Sequence, residues 1–414
     1  MATYAYTIRD ATGVVRKGTS DGDNESTVAK RLQEQGFVVV RIQQTKTPKA
    51  KSSGGGFGRV GLADKSIFCR QFSTMIDAGV SLVRCLSVLG EQTTSAKLRR
   101  IIGDIEVDVQ GGQTLSRAMA KHPAAFDNLF VGLIRAGEVG GALEESLQRL
   151  ASFLEKDMEL RRKVKGALTY PCIVIVVALV IVIGLVTFIV PKFMELFTDL
   201  GMGENSMPPM TRMLMQFSHF LTSKWWICIG IAAAFMVAFK MFVRTRIGRR
   251  IFDRIKLKAP VFGKLVHKVC LARFSRTLAT LLTSGVPILQ ALETVAGTVA
   301  NEIIGDAILE ARSRIREGDR IGDPLQKSKM FPPMIVQMIS IGEESGSLDA
   351  MLTKVAEFYE GEVDSALESL TSAIEPLMIV MLGTVVGFIV ISMFMPLLSI
   401  ITALSSGGSG GAAE

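Results

Sequence analysis

Chemistry needs side chains that can hold a metal, move a proton or attack an electrophile, and this sequence offers few of them. Its three histidines, His122, His219 and His267, fall in three different regions, which leaves a His-based triad or metal cluster little to build on. The five cysteines, Cys69, Cys85, Cys172, Cys228 and Cys270, show no C-x-x-C spacing, and two lie in apolar runs. Neither a disulfide framework nor a zinc site is indicated. The cluster Gly54 to Gly58 suggests a phosphate loop, yet G-x-x-x-x-G-K-[ST] occurs nowhere in the chain. A formal G-x-S-x-G around Ser409 sits in a Gly/Ser-rich tail without the strand-turn-helix context of a nucleophile elbow. The acids that remain, Glu138 and the pair Glu343-Glu344, stand in Gly-rich segments just before helical sequence. Ser347 can N-cap the helix that follows, and Asp349 complements its dipole. These acids read as capping and turn chemistry rather than an acid-base pair or metal site. The sequence therefore predicts no catalytic residue, no cofactor and no metal.

The elements around those acids are organised as a duplication. Gly137-Glu138-Val139-Gly140-Gly141, a charged helix, Pro171, an apolar run and Pro191 recur as Gly342-Glu343-Glu344-Ser345-Gly346, a charged helix, Pro376, an apolar run and Pro396. Every landmark lies 205 residues after its counterpart. Leu143, Leu147, Leu150, Leu154 and Met158 step along one face of a helix, and the same offset gives Leu348, Leu352, Val355, Tyr359 and Val363. Nineteen residues, almost all apolar, separate each proline pair. At ~1.5 Å per residue such a run crosses a hydrocarbon core of ~30 Å. Further upstream, Phe68-Cys69-Arg70 and Met75 to Leu82 recur as Phe274-Ser275-Arg276 and Leu281 to Ile288 at an offset of 206. The duplication thus covers a whole helical domain. Gly79 and Gly285, at matching places, are expected to let a helix stop where a side chain would clash.

Composition agrees with a segregated membrane chain. The 414 residues carry 21% charged side chains at a mean hydropathy of +0.36, with a net charge of +8. The N-terminus opens into polar sequence without an apolar core, so no cleavable signal peptide is expected. Residues 4 to 42 read as two short strands, a helix near Glu25 to Gln35 and a strand. Arg161, Arg162, Lys163 and Lys165 precede the first apolar run and assign that side to the cytoplasm. Residues 192 to 224 balance Lys192, Arg212 and Lys224 against Glu195, Asp199 and Glu204, as a translocated loop should. Its apolar positions, including Met213, Phe217, Phe220 and Leu221, are expected to lie on the outer leaflet. Trp225-Trp226 opens a further span, followed by nine Lys and Arg residues from Arg244 to Lys268 opposed only by Asp253. Beside a span, that run reads as inside retention and attraction to anionic lipid rather than a nucleic-acid patch. Two copies in parallel need such a returning helix between them, which an inverted-repeat transporter does not.

The expected architecture is an all-α membrane protein with two tandem cytoplasmic helical bundles, three transmembrane helices and a small α+β N-terminal appendage. Its parts are the appendage at 1–43, a flexible linker at 44–63, helical domains at 64–166 and 268–370, and spans at 171–191, 225–243 and 376–396. An external loop at 192–224, a basic connector at 244–267 and an external disordered tail at 397–414 complete it. The positions singled out as structural or interaction residues are Gly137, Glu138, Gly141, Pro171, Gly342, Glu343, Gly346, Glu375 and Pro376. Glu375 is the one acid directly abutting a span. It reads either as a helix-terminus charge or as a partner for an incoming charged segment.

Several stretches resemble a known family. They are Ala167-Leu168-Thr169-Tyr170-Pro171, Pro191-Lys192-Phe193 with Leu196-Phe197, Pro260-Val261-Phe262-Gly263, Arg273 to Leu278, and Gln337-Met338-Ile339 running into Gly342 to Gly346. Over nearly the whole chain these are similar to the inner-membrane platform proteins of type IV pilus assembly and type II secretion (PilC- and GspF-like). Phe358-Tyr359-Glu360 with Glu362-Val363 and Glu375-Pro376 look more like the pilus branch, while Met207-Pro208-Pro209 departs from the usual single proline. The resemblance implies a homo-oligomeric inner-membrane platform, N-terminus cytoplasmic and C-terminus external. It would engage a cytoplasmic assembly or retraction ATPase, pilin or pseudopilin subunits and other inner-membrane assembly components, with membrane lipids around it and no nucleic acid. A small-molecule transporter or channel would need ionisable residues inside the spans, and 172–190 and 377–395 contain none. A membrane-bound enzyme lacks a constellation.

Overall fold

Alternation of Tyr4, Tyr6 and Ile8 sets the first element, β1 (Ala2–Arg9), which is the middle strand of a three-stranded antiparallel sheet. It pairs with β2 (Val15–Gly22) on one edge and β3 (Val38–Gln44) on the other, with a bulge between Thr7 and Ile8. The computed structural model describes residues 2–9, 15–22, 38–44, 60–199, 208–260 and 262–407. The helix expected near Glu25 to Gln35, most of the linker at 44–63 and the last residues of the tail lie outside them. Residues 1–59 and 60–414 form separate compact units.

In the second unit the duplication is written helix for helix. Copy one comprises α1 (Leu62–Asp77), α2 (Leu82–Gln92), α3 (Ala96–Gln110), α4 (Leu115–Ala120), α5 (Asn128–Gly140) and α6 (Leu143–Gly184). A π-helical turn, Leu185–Ile189, carries α6 directly into α7 (Val190–Asp199). Then come α8 (Pro209–Ser223), α9 (Trp225–Arg244) and α10 (Arg246–Lys258). Copy two follows as α11 (Phe262–Thr283), α12 (Ile288–Thr298), α13 (Glu302–Arg316), α14 (Gly322–Lys327), α15 (Pro333–Ser345) and α16 (Leu348–Gly407).

Sterics explain most boundaries. Asp127 and Asn301 accept N–H bonds at the starts of α5 and α13. Gly79 and Gly285 both sit at φ 78°, and the next N–H reaches back from Val80 to Met75 and from Val286 to Leu281 at 3.0 Å. The clash expected at these glycines is absent, since nothing lies within 4 Å of where a Cβ would stand. The left-handed backbone alone selects glycine there.

The helical stripe read from sequence is the buried one: Leu147, Leu150, Leu154, Leu352, Val355, Tyr359 and Val363 all leave solvent. Equivalent rings anchor both copies, Phe68 against Phe126 at 6.1 Å and Phe274 against Phe331 at 4.8 Å. The buried side chains of the two copies form one continuous apolar core.

Pro171 and Pro376 interrupt nothing: each lies inside a helix that continues through it. The bundle helix and the apolar run of each copy are thus one rod. Two stretches among the described residues, Leu143–Phe193 and Leu348–Leu398, are long and apolar enough to cross a membrane, 51 residues each. The third apolar helix, α9, has 20 residues.

The α8 helix has a second, buried face beside the apolar one read from the sequence. Its Leu214 and Met215 are buried, Leu214 joining Val186, Val190 and Ile389 in a cluster between the two rods. Ser218 donates to the Val186 carbonyl in the π-helical turn, and Thr211 donates to the Ser392 carbonyl on α16. The helix therefore clasps both rods, and Met213, Phe217 and Phe220 are its outward face.

Candidate functional site

The joint that leads each bundle into its rod is built on close approach. At Gly137 an added Cβ would stand 2.7 Å from Ser146 Cβ and 3.1 Å from Leu143 Cα, and at Gly342 it would stand 2.8 Å from Leu348 Cα. Only a residue without a side chain lets α5 lie on α6 and α15 on α16 at that distance. The turn itself is made by Gly141 at φ 69° and Gly346 at φ 68°. Ser347 precedes the first residue of α16. Its hydroxyl lies 2.6 Å from that of Ser345, and Asp349 occupies the first turn.

The acids beside these glycines have local partners. Glu138 accepts from the Ser116 N–H at 3.2 Å, and Glu343 accepts from the Ile321 N–H at 2.9 Å. Donors and acceptors are both related by the 205 offset, so each copy ties the start of its shortest helix to the helix before the joint. Glu344 pairs with Arg320 on the surface.

A second matched contact was not read from the sequence. Arg70 on α1 makes a two-pronged bond to Glu155 on α6, at 3.0 and 2.7 Å, and Arg276 on α11 makes the same bond to Glu360 on α16, at 2.8 and 2.9 Å. Donating these hydrogen bonds to Glu155 raises the Arg70 pKa above its ordinary value. Both ends of each pair recur at the repeat offsets, which is the signal that could have found them.

Where the rods run side by side, the copies differ. Lys163 on α6 reaches Asp364 on α16 at 2.7 Å, which raises the lysine's pKa, and Lys268 on α11 reaches Glu362 at 2.5 Å. Arg273 on α11 bonds Asp157 on α6 at 3.0 Å. After Lys354 the chain has no Lys or Arg, so the basic flank of the second rod comes from α6 and α11 in space rather than from its own sequence.

Glu375 lies well inside the 60-residue α16 and is exposed. No helix terminus is near it, so the dipole explanation for this acid falls. It shares a groove of about 140 Å³ with Tyr170 and Pro171 of α6 and with Met378 of its own helix. Tyr170 is its counterpart in the first copy, so the pairing of rods brings the two equivalent positions to one place. Pro376, the next residue, is exposed as well. A larger apolar groove, about 760 Å³, runs along α6 from Leu160 to Val177, with Arg161, Lys165 and Arg273 at its bundle end.

Among the described residues no group of three His, Cys, Asp or Glu side chains could hold a metal ion. His122 stands 3.9 Å from Asp104, while His267 hydrogen-bonds the Met330 carbonyl at 2.7 Å. Cys69 and Cys270 are buried, which pushes both thiols up, Cys270 to about 11.

Against known proteins, the chain matches the family described as "Type II secretion system (T2SS), protein F" over residues 68–191 and again over 274–396. Residues 1–43 match its N-terminal domain family. A type IV pilus assembly protein PilC of Thermus thermophilus is 44% identical over 408 residues, covering 98% of this chain and all of that protein. The PilC of Myxococcus xanthus is 40% identical over 403 residues, covering 97% and 96%. A type II secretion system protein F of Vibrio cholerae is 31% identical over 409 residues, covering 98% of this chain and all of that one.

Proposed function

The chain belongs to the type II secretion system protein F family, and from that premise we propose that it is the inner-membrane platform of a type IV pilus assembly machine. The family consists of structural membrane proteins rather than enzymes. The higher identities to pilus assembly proteins than to the secretion protein support the pilus branch. The observation that carries the mechanical reading is the pair of continuous rods. Each 51-residue stretch is ~75 Å long at ~1.5 Å per residue, and it joins a soluble bundle to an apolar segment without a break. A push or twist delivered to the bundles by a cytoplasmic ATPase reaches membrane depth through such rods.

In this reading the three apolar helices cross the inner membrane, with α9 returning the chain so that both copies insert in the same direction. The loop at 192–224 and the C-terminus are then external. The apolar groove along α6 receives the transmembrane segment of a pilin. Glu375, in its separate groove beside Tyr170 and Pro171, offers a negative charge at the membrane boundary to a basic or N-terminal amino group of an incoming subunit. Several copies assemble around the forming filament.

The test is loss and rescue in the cell. Deleting the gene should abolish surface pili while leaving pilin in the membrane, and the wild-type chain should restore them and co-purify with the assembly ATPase. Loss of protein secretion with normal pili would move the chain to the secretion branch. Glu375→Gln keeps the shape and removes the charge. It should abolish filament assembly at normal membrane abundance and normal ATPase co-purification. Parental levels of pili from this variant would remove Glu375 from the site.

A further inference from the structure

The basic connector after α9 is folded in a way that its charge alone does not require. Thr245 caps α10 by accepting from the Gly248 N–H at 3.0 Å, and a Cβ on Gly248 would stand 2.0 Å from the Phe242 carbonyl oxygen. The corner is therefore tight. Beyond it, Phe252 of α10 meets Phe239 of α9 edge-on at 5.4 Å, so α10 bends back alongside the end of the apolar helix instead of projecting away from it.

One face of α10 is committed to copy two. Asp253, buried, accepts from the Glu302 N–H at 3.1 Å and from Lys256 at 3.1 Å, while Arg249 pairs with Glu302 and Arg250 with Asp306. These contacts seat α10 on the N-terminal turns of α13. The opposite face is apolar and open: Ile247 is 73%, Ile251 45% and Ile255 59% exposed. Arg254 and Lys258, exposed, make no ion pair among the described residues. At 100° per residue these five side chains fall within an arc of roughly 100°. A soluble surface has no reason to expose three isoleucines in one stripe on a helix this basic.

We infer that α10 lies in the cytoplasmic leaflet as an interfacial helix, Ile247, Ile251 and Ile255 inserted among the acyl chains and Arg254 and Lys258 held by anionic lipid headgroups. Charge complementarity and the corner joining it to α9 both select this occupant. The long stems of Arg254 and Lys258 let their charges reach the headgroups while the isoleucines go deeper. The helix then fixes the height of copy two against the membrane through Asp253 and α13. The inference rests on the proposed crossing of the membrane by α9.

A photocrosslinking amino acid placed singly at positions 231, 251 and 139 of the full chain tests it. The protein is reconstituted in vesicles of phosphatidylethanolamine and radiolabelled phosphatidylglycerol. Ile231, exposed on α9, and Ile251 should both capture labelled lipid, whereas Val139, exposed on α5, should not. Reversing Arg254 and Lys258 together to Glu should lower capture at position 251 several-fold and leave position 231 unchanged. Capture of protein, or of nothing, at 251 with normal lipid capture at 231 overturns the inference. Absence of lipid capture at 231 overturns the crossing by α9, and this inference with it.

Discussion

At the joint before its rod, copy one turns through Gly141 at φ 69° and copy two through Gly346 at φ 68°. A few turns further on, copy one reads Arg161, Arg162, Lys163 and Lys165 where copy two reads Ala366, Leu367, Glu368 and Leu370. Backbone geometry is kept where the chain turns through a left-handed residue, and the basic run belongs to copy one alone. Lys163 meets Asp364 at 2.7 Å, and copy one carries an acid, Glu159, at the position of Asp364, while copy two carries Glu368 at the position of Lys163. The acid is common to both copies, and the basic partner across the parallel rods comes from copy one alone.

Substitutions at matched positions can break this comparison, beginning with the closest approach. Gly137→Ala and Gly342→Ala should each lower stability by about 2–3 kcal/mol through overpacking, with Gly342 the worse because its neighbour is backbone. Thermal unfolding in detergent measures it, and equal tolerance of alanine at both sites would remove close packing as the reason for glycine. Gly141→Ala and Gly346→Ala should cost about 1–2 kcal/mol each, the same in both copies, from the left-handed backbone. Leucine there should cost about as much as alanine, because nothing crowds the Cβ position.

The repeat register, the buried helical stripe and the glycine joints were legible in the sequence because sterics and periodicity leave a residue-level trace. The continuity of the rods was not. Pro171 and Pro376 look like boundaries, but a proline removes one backbone hydrogen bond, and the remaining helix has no alternative partners in lipid. That misreading is also what placed Glu375 at a helix end. The Arg70–Glu155 and Arg276–Glu360 bonds were hidden for a different reason. Each joins residues more than 80 positions apart, at separations of 85 and 84, and spacing along one helix cannot reveal a partner on another.

Those two bonds sharpen the comparison further. The Arg276–Glu360 side chains are 20% and 25% exposed, against 42% and 45% for Arg70–Glu155. Arg276→Ala should therefore cost about 1–2 kcal/mol and Arg70→Ala no more than about 0.5 kcal/mol, since solvent screens the outer pair. Denaturant titration of the two variants in micelles tests the ordering, and a larger loss at Arg70 would reverse it. A smaller effect concerns the buried thiols. Burial holds Cys69, Cys85 and Cys270 above their ordinary value. The stability gained by keeping them neutral is complete below the unfolded thiol pKa of ~8.5 and is lost as pH rises towards the folded values. Maleimide should accordingly leave all three unmodified in the folded protein at pH 7.5 and react on unfolding.

In the proposed topology two parallel copies enter the membrane in the same direction, with α9 bringing the chain back between them. Single cysteines at positions 204, 258 and 406, in a chain otherwise free of cysteine, can be offered a membrane-impermeant maleimide from outside sealed cells. Labelling is expected at 204 and 406, and none at 258 until the cells are opened. Labelling of 258 in sealed cells, or labelling of only one of 204 and 406, would contradict it.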